Sequence, residues 1–320
     1  MAVVSSFHRL ATWTTAATYF LILVGGLVRA SGAGLGCPDW PRCFGSWIPP
    51  SSPADLPPQF DPSLFNPTLM WTEYLNRLLG VSVGLLILAT VVSAWRHHRH
   101  EPRILWSSVA ALLLTGFQGW LGGRVVAHEL AAWIVTVHMI VALVIVQLLL
   151  YATVATRPHG AATTGTPRTP VTRATLSLIL VTMIQIAIGT QVRGAVDVAL
   201  DGGVPRAGAV ASVGMLDHLH RGAALAVFAG SLMMVLWLGS RVPGERTLIR
   251  WAYVVAGLAT AQVGLGVVMT YVSLLPAAQV GHLVVASVLL GAETVLLLLG
   301  RTESVAAAFP LRDRRLPRVP

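Results

Sequence analysis

The chain has no lysine: all 22 of its Lys+Arg residues are arginine. Charge of either sign is scarce, at 11% of 320 residues, against about a quarter in soluble domains. Together with 55% hydrophobic residues, that shortage excludes an ordinary soluble globule and points to a bilayer. A net charge of +9 raises nucleic acid as a partner, but no soluble domain gathers the arginines; they sit between apolar runs of membrane-spanning length, so no nucleic acid is expected. No small-residue cleavage site follows the first apolar run near Ala11, so that run is expected to stay as a helix and not to be removed as a signal peptide. No proline interrupts an apolar run midway, which argues against a transporter built on broken helices. Cysteine is nearly absent as well: Cys37 and Cys43 share one loop, and there are no others.

Crossing a bilayer takes roughly 20 apolar residues. Eight runs qualify, at 11-30, 72-95, 104-122, 132-153, 173-192, 214-239, 249-270 and 277-299, and the Gly and Ser inside them suit close helix packing. The links sort by charge. Arg9, the segment 96-103, the linker with Arg157, Arg168 and Arg173, the link with Arg241, Arg246 and Arg250, and the tail from Arg301 hold fifteen arginines on one side. The other side has Arg42, Arg124 and Arg206, with Arg29 and Arg193 at helix ends. The positive-inside rule then puts both termini in the cytoplasm and the chain in the cell (cytoplasmic) membrane as a multi-pass protein. A Pro/Thr/Gly-rich cytoplasmic linker, 154-172, separates an N-terminal half (1-153, with a long external loop at 31-71) from a C-terminal half (173-299) and a tail (300-320) suited to the anionic inner surface.

The halves repeat each other. At an offset of 144, Glu73 falls on Asp217, Asn76 on His220, Arg77 on Arg221, Gln118 on Gln262, Gly122 on Gly266 and His138 on His282. The first helices match at an offset of 164, Val28-Arg29 against Val192-Arg193, so the first external loop is longer by 20 residues. The expected fold is an all-α integral membrane protein whose eight transmembrane helices form two pseudo-symmetric four-helix bundles.

Asn76, His138, His220 and His282 each follow the outer start of a span by one to two turns, which places them at similar depth in the outer leaflet. In the second half, His220 and His282 then form a clamp able to hold a heme iron from both sides. Ionisable groups at membrane depth are costly and usually functional, whereas a single buried histidine is as often just a bonded core residue. Arg221, near the outer surface, suits a heme propionate, or else anchors the helix end. In the first half Glu73, Asn76 and Arg77 share one helix face; Glu73 either handles protons or simply pairs with Arg77.

The run Gly25 to Cys43 (GGLVRASGAGLGCPDWPRC) resembles the first helix end and cysteine loop of bacterial heme A synthases, and Glu73-Tyr-Leu-Asn-Arg77 resembles that family's Glu-x-x-His-Arg motif. Gln118-x-x-Leu-Gly122, His138, Asp217-His-Leu-His-Arg221 and Gly281-His282 match the remaining positions, so the resemblance covers about 11 to 299. It implies a membrane oxidoreductase of heme A biosynthesis that oxidises a porphyrin methyl of heme O to a formyl. Two successive hydroxylations give a geminal diol that loses water, and heme A goes to terminal oxidases. It implies heme b on His220 and His282 as an electron-transfer group, and heme O as substrate on His138 with Glu73 as the catalytic group at the reacting edge. Arg77 joins Arg221 as a propionate candidate near the substrate heme. Heme O synthase and an electron donor, a quinol or a ferredoxin-like protein, are the partners implied. One departure stands out: Asn76 replaces the family's histidine, so the substrate heme is expected to have one axial ligand and an open position. His128 is a distant substitute.

Cys37 and Cys43 lie in an exported, oxidising loop, so a disulfide is feasible, either as a staple or as a redox pair over the substrate site. His97, His98 and His100, among Arg96, Arg99 and Arg103, read as a cytoplasmic anchor before a metal tract. Two other functions compete: a diheme electron carrier, which needs two histidines at each heme, and a heme-binding assembly factor without turnover, which has no need of Glu73. A prenyltransferase lacks its aspartate-rich magnesium sites.

Overall fold

The computed structural model describes residues 6–156 and 168–301. Of the linker expected at 154-172, residues 157–167 lie outside the described residues, as do 302–320 of the tail. Eight helices are long and apolar enough to cross a bilayer: α1 (Ser6–Ala30), α2 (Pro67–His98), α3 (Pro102–Ala127), α4 (Ala132–Ala155), α5 (Arg168–Asp201), α7 (Met215–Arg241), α8 (Arg246–Tyr271) and α9 (Pro276–Arg301). A single turn, α6 (Arg206–Ala209), lies in the link after α5, and no strand forms among the described residues.

Each span runs past its apolar run because polar starts and stops add turns beyond the hydrocarbon. Asn66 caps α2, its side-chain oxygen accepting from the N–H of Thr68 (3.1 Å) and Leu69 (3.2 Å), and Pro67 takes the first position, where its missing N–H costs nothing. Pro102 and Pro276 open α3 and α9 in the same way. Inside the spans, hydroxyls return to carbonyls one turn back, as Thr15 to Ala11 (2.7 Å), Thr115 to Ala111 (2.7 Å) and Thr175 to Val171 (2.8 Å). A bilayer interior provides no other partner for them.

Helix α1 packs on α2 and α4, and α3 packs on α2 and α4; in the second half α5 and α8 each pack on α7 and α9. The apolar cores follow these neighbours. One joins Val83, Ile87, Ala111, Ile145 and Leu149 of the first half, and another joins Leu178, Val227, Leu238, Val255 and Leu296 of the second. The halves meet where α9 touches α1 and α4, and where α4 touches α5. Helix α9 is therefore the most enclosed: 67% of its apolar stretch is buried, against 22–28% in the other spans. Large apolar side chains such as Trp13, Trp106, Met233 and Leu236 point outward, 66–74% exposed, as a lipid-facing surface requires.

The seam is close and partly polar. Thr136 and Thr190 hydroxyls meet at 2.6 Å, Gln191 donates to Thr136 (2.6 Å), and the Tyr19 hydroxyl donates to the Ser287 carbonyl at 3.5 Å. Gly291 of α9 permits the approach: a Cβ there would strike the Tyr19 hydroxyl and come within 3.1 Å of Leu150. Gly291→Val is thus expected to cost about 1–3 kcal/mol through overpacking. Gly257→Ala, in open space on α8, should be neutral. Thermal unfolding of both variants in detergent checks this, and equal melting points would show that the seam tolerates bulk.

Candidate functional site

A single cavity of about 1440 Å³ runs between the halves and is lined by both. Ordinary small-ligand sites occupy about 300–1,000 Å³, so this one has room for a large rigid ligand or for two. Its walls include Asn76, His138, His220 and His282, so the four positions matched in the sequence face a common space.

In the second half, α7 and α9 bring the rings of His220 and His282 to 6.3 Å between centroids, inclined by 58°. An imidazole nitrogen lies about 2 Å from a first-row metal and about 1.1 Å from its own ring centre, so two imidazoles on opposite sides of one ion have centroids about 6.2 Å apart. The observed separation suits a shared iron. Glycines on the remaining two helices make room: a Cβ at Gly189 of α5 would come within 2.8 Å of His220, and one at Gly266 of α8 within 3.7 Å of His282. The Nδ1 atoms of both rings, and of His138, are buried and have no partner in hydrogen-bond geometry among the described residues. The backbone of Gln185 and of Gln262 lies beside His220 and His282, where an orienting carbonyl of a metal-bound histidine belongs.

The first half copies this plan with one element missing. His138 of α4 faces Gly122 of α3 as His282 faces Gly266, with 3.6 Å to the position of a Cβ. Gln118 steadies the turn by donating to the His138 carbonyl at 2.9 Å. The equivalent of Gly189 is Gly25 of α1, and nothing among the described residues lies within 4 Å of a Cβ there. Asn76 is too short to fill the place that the His220 ring takes, and its Oδ1 is buried without a partner among the described residues. His128 is exposed, bonded to Arg124 (2.8 Å), and is not a lining residue of the cavity.

The acidic residue and the arginine are paired in both halves. Glu73 and Arg77 form a short i,i+4 ion pair, and Asp217 and Arg221 form its counterpart at 2.6 Å. In the first half the pair also carries the cysteine loop. The second Glu73 oxygen accepts from the Cys37 N–H at 2.8 Å, and Arg77 donates to the carbonyls of Asp39 (2.8 Å), Arg42 (2.8 Å) and Cys37 (3.4 Å). With two donations to Glu73, all five Arg77 N–H groups are used, which leaves none for a propionate. Glu73 still lines the cavity. Arg221 is freer: it donates to the Tyr271 hydroxyl (3.0 Å), and its Nε has no partner among the described residues.

The loop forms a roof. Cys37 and Cys43 are joined in a disulfide, and both are fully buried beside Phe44 and Met70, a setting that suits a staple. Trp40, Pro41 and Trp47 line the cavity beneath it, with the Trp40 ring pressed on Gly123 of α3 and the Tyr74 hydroxyl donating to the Trp47 carbonyl (2.7 Å). Away from the cavity, His97 bonds Ser93 (2.9 Å) and His98 pairs with Glu101 (2.7 Å), as helix-end groups do; His100 accepts from Arg99 (3.1 Å).

Two groups escaped the reading of the sequence. Arg29 and Arg193, taken there as helix ends, share Asp197 and line the cavity. The signal was available: the two arginines match at the 164-residue offset, and an aspartate stands four residues after the second. Glu293 on α9 is fully buried and accepts from Thr182 (2.8 Å); its counterpart by repeat is Leu149, so only its isolation in an apolar run marked it.

Residues 8–294 match the COX15-CtaA family, described as cytochrome oxidase assembly protein. Among similar curated proteins, a heme A synthase of Shewanella oneidensis is 31% identical over 56% of this chain and 55% of its own length. One of Allorhizobium ampelinum is 27% identical over 56% and 54%. A third, of Methylorubrum extorquens, is 28% identical over 90% of this chain and 85% of its own length. The chain thus spans about half the length of the first two relatives and most of the third. The match to the family covers nearly all of the described helices, and the chain belongs to the COX15-CtaA family of cytochrome oxidase assembly proteins.

Proposed function

We propose that the chain is a heme A synthase, a membrane oxidoreductase that converts a methyl of heme O to a formyl. The observation that carries the reading is one cavity holding two unequal sites: a histidine pair spaced for one iron, and a single histidine opposite an asparagine. The names of the relatives agree with it. The C-terminal half, 173-299, is read as the heme b half, where His220 and His282 would hold the group. The N-terminal half, 1-153, is read as the substrate half, with heme O on His138. The helix neighbours and separate cores support two four-helix bundles, and the arginine-rich links support cytoplasmic termini in the cytoplasmic membrane. Heme b, when bound, supplies electrons one at a time.

The chain's own residues position and enclose the substrate. His138 fixes one face, and the shortness of Asn76 keeps the opposite face open. Trp40, Pro41 and Trp47 cover the cavity and limit water. Glu73 is the cavity-lining carboxylate of the substrate half, and through Cys37 and Arg77 it also keeps the roof in place. The Arg221 Nε remains available to a carboxylate of the second-half heme. Heme O synthase and a quinol or ferredoxin-like donor are the partners that this reaction requires. A second reading, heme binding without turnover, draws on the engagement of both Glu73 oxygens, since a bonded carboxylate has a structural reason to be there.

Three outcomes follow for purified full-length protein. His282→Ala should abolish the low-spin ferric signal of the second half; a full low-spin EPR signal in that variant contradicts the ligation. Asn76→His has room beside Gly25 and should turn first-half iron low-spin, with activity flat or lower; an unchanged spectrum with that site loaded means position 76 does not face the iron. Glu73→Gln should lose stability, on the order of 3 kcal/mol, as Arg77 loses its counter-charge. Pigment analysis should then show heme O retained and heme A depleted about tenfold or more, the scale of a lost proton-handling group. An unchanged ratio of heme A to bound heme removes Glu73 from the chemistry, and no heme A from wild type favours binding without turnover.

A further inference from the structure

Arg29 closes α1 and Arg193 lies near the end of α5, so the two come from different halves. Asp197 bridges them: Oδ2 accepts from Arg29 Nη2 at 3.0 Å and Oδ1 from Arg193 Nη2 at 2.8 Å. One carboxylate between two guanidiniums leaves one positive charge over, and Arg206 adds its field to Arg193. Both arginines line the cavity. Arg29 Nε and Arg193 Nη1 are buried and have no hydrogen-bond partner among the described residues. A buried charged N–H left unbonded is costly, and a guanidinium fork matches a carboxylate.

The position relates the cluster to His138. Gly194, next to Arg193, packs directly against Ala132, the first residue of α4. His138 comes six residues later on that helix, which is about 9 Å along the axis. A flat macrocycle bound through one face by His138 would reach that level with the carboxylate arms of its edge. The other cavity-lining arginine of the first half, Arg77, is wholly engaged by the loop and Glu73, and Arg221 belongs to the second half.

We infer that Arg29 and Arg193, held by Asp197, form the anchor for the carboxylate arms of the tetrapyrrole bound on His138. The inference rests on the tetrapyrrole reading of the cavity and adds a specificity role. An axial ligand alone lets the ring turn about the iron–nitrogen axis, whereas an anchored edge fixes which methyl is presented to the reacting side. Two guanidiniums match two carboxylates, and Asp197 keeps the pair from separating by repulsion in the empty state.

The test is optical titration of full-length protein, second half loaded, with iron protoporphyrin IX and with its dimethyl ester. Wild type should bind the diacid about tenfold or more tighter than the diester, the scale of a charge-assisted hydrogen bond. Arg29→Gln and Arg193→Gln should bring the two affinities within about twofold by weakening only the diacid, and Arg193→Lys should keep part of the preference. Equal wild-type affinities overturn the inference without recourse to any variant. A preference that survives both substitutions overturns it too, because the carboxylates then bind elsewhere. Wild type that binds neither compound overturns the tetrapyrrole reading itself, a result distinct from the other two.

Discussion

A hydrocarbon interior offers no hydrogen bonds, so each polar atom within a span must find a partner in the protein or be kept for a ligand. That constraint sorts the polar groups of this chain into two sets. Threonine and serine hydroxyls close on carbonyls of their own helices or meet across the seam between halves. Glu73 and Arg77, Asp217 and Arg221, and the Arg29–Asp197–Arg193 bridge pair charges near the loop-bearing end. Among the described residues, the side-chain atoms left over include the Nδ1 of His138, His220 and His282, Asn76 Oδ1 and the amide oxygens of Gln118, Gln185 and Gln262. All seven residues line the cavity between the halves. The unmet capacity of the imidazoles and of these amides thus gathers around one cavity, while Asp39, Gln147 and Glu293 keep unbonded buried atoms outside it.

The repeat supplies two copies of one plan, and the differences between them divide the labour. Each half offers two facing positions on its second and fourth helices, with small residues on the other two helices to accept rings. The second half keeps both imidazoles and a short external link. The first half gives up one imidazole and gains a disulfide-stapled roof, to which its ion pair is tied. Two histidines saturate an iron, which suits electron transfer, while one histidine under a closed roof suits chemistry on a bound substrate. Asn76 is thus consistent with a site specialised for turnover.

Much of this was legible in the sequence because membrane residues obey few rules. Apolar length marked all eight spans, and the caps at Asn66 and the prolines at 67, 102 and 276 account for the extra turns. The 144-residue offset brought Asn76, His138, His220 and His282 to one cavity, since matched helices place matched residues at matched depths. The acceptors of Arg77 were not legible: its three loop carbonyls depend on how 37–42 folds back, which spacing along a helix does not encode. The Arg29–Asp197 contact joins different halves, and a repeat aligns residues within corresponding positions without saying which ones touch across the seam.

The central claim is that one cavity holds two irons in unequal ligation. EPR of the wild-type protein, with heme content counted and both sites loaded, tests it most directly. The account predicts one low-spin ferric signal from the His220–His282 site and one high-spin signal from the His138 site, in equal amounts. Two low-spin signals, or high-spin iron alone, would contradict it.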